Sequence, residues 1–140
     1  MEEMRKLIEK YQDYIEQSDK LHRKLIILLD YNTKVTASYG HNTGASKGTV
    51  SSKVERHALK IKETEEKIFD LEEKISKVNL AERVLNNKEK EVIDLIKQGY
   101  SNRLSVIAKA LNKNKKYVFD TRNRALRKMV SYIERSENKQ

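Results

Sequence analysis

The 140-residue chain contains no cysteine, no proline and no tryptophan, and only four glycines. Without cysteine there can be no disulfide, no thiol nucleophile and no cysteine-based zinc site, which suits a reducing compartment. Without proline, and with so little glycine, a Pro/Gly-rich disordered chain or a collagen-like one is excluded and long helices are favoured. Long apolar runs are missing too. The longest, Leu25 to Leu29, falls far short of the roughly 18 residues needed to cross a bilayer. Met1 to Lys10 mixes acidic and basic residues and lacks the apolar stretch of a secretory leader. The expectation is a soluble, cytoplasmic protein with no membrane partner. Hydrophobic residues reach only 37%, against 36% charged. That balance argues against one thick core and for amphipathic helices joined along narrow seams.

What the chain does have is positive charge, +9 at neutral pH with an isoelectric point near 9.6. A basic chain of this size points to nucleic acid, an anionic membrane or an acidic partner. Most of the excess sits in one place. Residues 100–130 hold nine basic side chains and one acidic one, whereas 1–30 carry six basic and seven acidic. Residues 53–86 and 87–99 are each balanced. A solubilising surface spreads its charge, while a polyanion-binding face concentrates it.

Apolar spacing organises the rest. Met4, Leu7, Tyr11, Tyr14, Ser18, Leu21, Leu25 and Leu28 alternate spacings of three and four, predicting one helix over 3–29 with a coiled-coil seam. Ile8, Ile15, Ile26, Ile27 and Leu29 widen its apolar face, so more than one neighbour is expected. Residues 30–52 gather glycine, asparagine, serine and threonine and predict a flexible loop. Val54, Ile61, Ile68 and Ile75 then repeat every seven residues, with Leu71, Val78 and Leu85 as companions, predicting a second helix over 53–85. Ser51 or Ser52 with Glu55 offers its capping box. The two seams can meet within one chain or between chains, and a homodimer is the expected assembly.

Residues 86–131 predict three shorter helices. Asn87 caps the first, over 88–98, with Gly99 as its stop. Ser101 or Ser105 starts the second, which ends at Leu111. Asn112-Lys113-Asn114 forms a tight turn, and Asn114 caps a third helix running to about 132. The fold class is therefore all-α: a long N-terminal helical hairpin or coiled coil over 1–85, then a helix-turn-helix domain over 86–132, then a polar tail over 133–140. Within the motif, small Ala108 lets two helices approach, and Ile107, Leu111, Val118, Leu126 and Met129 supply the core. This leaves Lys115, Lys116, Tyr117, Phe119, Asp120 and Arg122 to face major-groove base edges. One of the two aromatics has the alternative fate of packing inward. Arg103, Lys109, Lys113, Asn114, Arg124, Arg127 and Lys128 are assigned to the phosphate backbone.

The run Lys88-Glu89-Lys90-Glu91-Val92-Ile93, then Gly99, then Val106-Ile107-Ala108-Lys109-Ala110-Leu111 opens a recognisable pattern, which Asn114, Val118 and Arg124-Ala125-Leu126-Arg127-Lys128-Met129 complete. This third of the chain resembles the DNA-binding fourth region of sigma factors. The whole layout is similar to phage-encoded ArpU/RinA-type transcriptional regulators. The resemblance implies sequence-specific binding of double-stranded DNA, late-gene activation, contact with RNA polymerase and a bacterial host cytoplasm. Gly99 lies about two residues further from Ile107-Ala108 than in sigma factors, so the first connection is longer. Lys113 stands where an apolar residue is usual. The promoter-opening and core-polymerase-binding segments of a sigma factor have no counterpart.

Other motifs fall away. Gly40 to Thr49 has a phosphate-loop flavour, but Lys47 follows Ser46 and precedes Gly48, and no strand leads into it. His22, His41 and His57 lack paired metal-ligand spacing. Glu63 to Glu73 interleave with lysine as a solvated face, and no nucleophile–base set is visible. No cofactor, small-molecule substrate or enzymatic activity is expected. Two further readings remain: a phage terminase small subunit, which also joins a helix-turn-helix to coiled helices, and a coiled-coil interaction protein whose basic end binds an acidic surface.

Overall fold

A computed structural model describes residues 2–39, 47–100 and 103–138. Among them every regular element is helical and no strand occurs. The helices are α1 (Glu2–Glu9), α2 (Tyr11–Tyr39), α3 (Lys47–Ala81), α4 (Asn87–Leu95), α5 (Leu104–Leu111) and α6 (Lys115–Asn138). None is long and apolar enough to cross a membrane.

Contacts divide the chain into two units, one formed by residues 1–15 with 73–140 and one by residues 16–72. The split differs from the expected boundary at residue 85. The reason lies in Ile8, Val78 and Ala81, each fully buried in the same apolar cluster as Val92, Ile93, Ile107, Val118, Ala125 and Met129. The first helix and the end of α3 thus belong to the C-terminal core. Met4 joins them, and Leu7 and Tyr11 pack at the edge. Tyr11 donates its hydroxyl to Asn79 Oδ1 at 2.8 Å. Lys97 lies 4.1 Å from the Tyr11 ring centroid and 2.7 Å from Glu82. The α1–α2 junction is one residue long and is bridged by Lys10 N to Lys6 O and Tyr14 N to Lys10 O.

Residues 16–72 form a helical hairpin within the single chain. Its two arms are the seam helices α2 and α3: His57 Nε2 donates to Leu28 O at 2.6 Å, and His22 reaches Glu72 at 2.9 Å. Ser18, Thr64, Ile68 and Leu71 are buried, and Leu21, Leu25, Leu28 and Ile61 are half-buried, as the seam spacing requires. Two polar seam positions have partners, one within its own helix and one across the hairpin. Thr64 Oγ1 donates to Lys60 O at 2.7 Å, and the His57 ring meets Tyr31 at 4.8 Å. Val54 remains exposed.

Several expected boundaries move. The single helix predicted over 3–29 is divided at Lys10 into α1 and α2, and α2 runs on to Tyr39, because no glycine or proline interrupts it before Gly40. The next helix begins at Lys47, upstream of the Ser51/Ser52 capping box. Of the expected 30–52 loop, residues 40–46 lie outside the described residues, as does a start at Ser101. Asn86 replaces Asn87 as the cap of α4. Its side chain accepts from the Glu89 amide at 2.9 Å while Glu89 Oε1 accepts from the Asn86 amide at 3.0 Å. The last helix continues to Asn138 rather than 132, since Tyr132 and Ile133 still pack on the core.

Candidate nucleic-acid interface

The α5–α6 corner is built from its turn. Asn112 adopts the left-handed conformation (φ 56°), where asparagine is tolerated far better than most residues. Lys113 N donates to Ala108 O at 2.8 Å and Asn112 N to Lys109 O at 3.2 Å. These are the paired bonds of a Schellman motif closing α5. Two residues later Asn114 Oδ1 accepts from Tyr117 N at 2.7 Å, capping α6. Both ends of the three-residue turn are therefore sealed. Upstream, Gly99 (φ 107°) reverses the chain after α4, a conformation that disfavours any side chain. Ile107 and Ala108 of α5 are buried in the same core as Val118, Ala125 and Met129 of α6, which fixes the two helices against each other.

With Val118, Thr121, Ala125 and Met129 buried, the opposite face of α6 follows from its 3.6-residue period. Lys116, Asp120, Asn123 and Arg127 recur at spacings of four, three and four, so they share one stripe. Lys116, Asp120 and Arg127 are exposed and Asn123 is half-buried. Lys115 and Phe119 flank the stripe, with Phe119 46% exposed. Asn123 was not singled out from the sequence, although its place between Asp120 and Arg127 in the period was the available signal. An asparagine on such a face is suited to paired hydrogen bonds with adenine.

Other expected contact residues are engaged within the protein. Tyr117 is half-buried against the core, with Lys113 Nζ 5.3 Å from its ring centroid. This is the inward fate open to one of the two aromatics, and Phe119 takes the outward one. Arg122 is half-buried, 5.2 Å from the Phe119 ring centroid. Burial, and then the charge of Arg5, push its pKa below the usual value, while Glu9 opposes the shift. Arg122, half-buried beside Phe119, is therefore only partly open to a ligand. Asn114 is committed through its side-chain oxygen to the cap.

Arg124 and Lys128 meet at one carboxylate. Glu89 is fully buried, and it accepts from Arg124 Nε at 3.1 Å and Lys128 Nζ at 2.8 Å. Burial is the largest influence on its pKa and acts upward. The Asn86 amide, Lys128 and Arg124 together outweigh it and hold the carboxyl below its ordinary range. This cluster ties the start of α4 to the middle of α6. A phosphate would have to share both cations with Glu89. Lys109 and Lys113 stay exposed beside the turn, and Arg103 is exposed at the other end of α5, so they and Arg127 are the expected phosphate contacts with open side chains. Comparison with protein-family models, curated proteins and solved structures finds no match for this chain.

Proposed function

We propose that the protein is a sequence-specific, double-stranded DNA-binding transcriptional regulator that lays the N-terminal half of α6 in the major groove. Its suggested setting is that of a phage or mobile-element late-gene activator in a bacterial cytoplasm, acting with RNA polymerase. One observation carries the reading. The only strongly net-basic stretch of the chain coincides with a helix-turn-helix whose second helix offers Lys116, Asp120, Asn123 and Arg127 on an open face. Lysine and asparagine match guanine and adenine edges, Phe119 suits a thymine methyl, and Asp120 accepts from a cytosine amine or orients Lys116. Arg103, Lys109, Lys113 and Arg127 would follow the backbone. A homodimer would place two such helices on neighbouring half-sites. Because the long seams are covered within one chain, that dimer would use other surfaces.

The test is selection of bound fragments from random double-stranded DNA, followed by titration of the selected site against unrelated DNA. Lys116→Ala with Asn123→Ala should cost about 1–3 kcal/mol on the selected site and narrow the gap to unrelated DNA. Lys109→Ala with Lys113→Ala should weaken all sequences alike and flatten the salt dependence. Parent-like binding by both double variants, or a selection that yields no preferred sequence, would overturn the assignment. A ring of about eight or more subunits in solution would favour the packaging role instead.

A further inference from the structure

The unit that carries the basic face also holds an acidic groove. Between α1 and the C-terminal half of α6 lies a cavity of about 370 Å³, within the ~300–1,000 Å³ range of ligand pockets. Its apolar lining comes from Met4 and Leu7 on one helix and Val130 and Ile133 on the other. Each pair is spaced i, i+3, so two short apolar ridges run along the walls. Outside them stand Glu2 and Glu3 on the α1 side and Glu134 and Glu137 on the α6 side. Lys77 is the single cation in the lining and is already paired with Glu137 at 3.4 Å. Glu2 lies 3.8 Å from Arg5. Glu3 and Glu134 form no ion pair among the described residues.

We infer that this groove docks an amphipathic, lysine- or arginine-bearing helix of a partner protein. The sign of the rim chooses the occupant. With Glu2 and Glu137 each beside one cation, Glu3 and Glu134 leave the rim net acidic, which disfavours DNA and anionic lipid, the polyanions that suit the rest of a +9 chain. Two apolar ridges with carboxylates outside them take a helix that presents apolar anchors at i and i+3 or i+4, with cations on either side. Such a helix would pack its ridge between those of α1 and α6 while its lysines or arginines meet Glu3 and Glu134. The inference is independent of the DNA reading, because α6 uses its opposite end and different residues.

The probe is a fluorescent synthetic helix of about 18 residues, long enough to hold helical structure, with leucines along one face and lysines elsewhere. A leucine/glutamate helix of the same pattern and a scrambled leucine/lysine peptide serve as controls. Anisotropy with the full chain should show the leucine/lysine helix binding at least about tenfold more tightly than either control. Glu3→Lys with Glu134→Lys should abolish that preference, and Glu3→Gln with Glu134→Gln should reduce it, with thermal melting confirming that both variants fold. Affinity for the selected DNA should not fall in either. Equal binding of the three peptides, or an unchanged preference in both folded variants, would overturn the inference. So would amide shifts on peptide addition that avoid Leu7, Val130 and Ile133.

Discussion

The two units are both helical, yet they are held together in different ways. The unit of residues 1–15 and 73–140 brings the short α1, α4 and α5, the end of α3 and the longer α6 onto one cluster in which nine or more apolar side chains are essentially sealed from water. The hairpin of residues 16–72 has only a narrow seam. It buries Ile68 and Leu71 but also Ser18 and Thr64, and it leaves Ile26, Ile27 and Phe69 about two-thirds exposed. A long helix pair can be registered by spacing alone, with few residues shut away completely. A corner made of short helices cannot, because each short helix is marginal until its neighbours cover it. The difference teaches where stability resides: in the unit that must hold α6 in a fixed pose.

That contrast can be broken at its strong end first. Ile107→Ala or Met129→Ala should cost about 2–5 kcal/mol in urea unfolding, because each empties space in a close-packed core. Ile27→Ala on the hairpin should change stability by no more than about 0.5 kcal/mol. Equal losses at the two places would mean that the units are not energetically distinct. Amide exchange should agree, with hairpin amides opening at lower free energy than those of α4 to α6.

The Glu89 cluster gives the middle effect. Glu89→Gln keeps the side-chain oxygen for the Asn86 amide but removes the charge shared by Arg124 and Lys128, for an expected loss of about 1–2 kcal/mol at neutral pH. Because the folded-state pKa of Glu89 lies below its reference value of 4.5, its stabilisation is fully present above that value. It is lost as pH falls through the folded pKa. Parallel denaturations at neutral and acid pH should therefore show the gap between parent and variant closing in acid. A gap that holds constant would assign the loss to shape rather than charge.

The smallest effect tests the seam. Thr64→Val removes a hydroxyl whose acceptor, Lys60 O, also has the helix's own backbone bond available, so no buried group is orphaned. The expected change in melting is within about 1 kcal/mol and of stabilising sign. A large loss would show that the polar seam position is essential to the hairpin.

Periodicity made the seam positions legible, since every residue from Leu7 to Leu28 on that register is at least half-buried. The turn was legible as well. Asn112 and Asn114 have distinct tasks there, one a left-handed backbone and the other a side-chain cap. The choice between Asn86 and Asn87 was also written in the chain, because only Asn86 has a glutamate three residues on. Other features depend on long-range encounters. Glu89 meets Arg124 and Lys128 across 35 and 39 residues, and no local pattern announces a buried carboxylate there. Arg122 likewise feels the charges of Arg5 and Glu9, over a hundred positions earlier in the chain. The candidate site was thus readable as a helix and a charge cluster. Which cations stay open followed from partners that only the fold supplies.

Met4 and Ile8 share their cluster with Met129, which sets an order on the birth of the protein. At ~5–20 residues per second of synthesis, those first side chains wait roughly 6–25 s for their last partner to be made. The hairpin needs nothing beyond residue 72, so it can close while the ribosome is still at work. The α5–α6 corner and the groove beside α1 can form only once residues 125–133 have been made, and together.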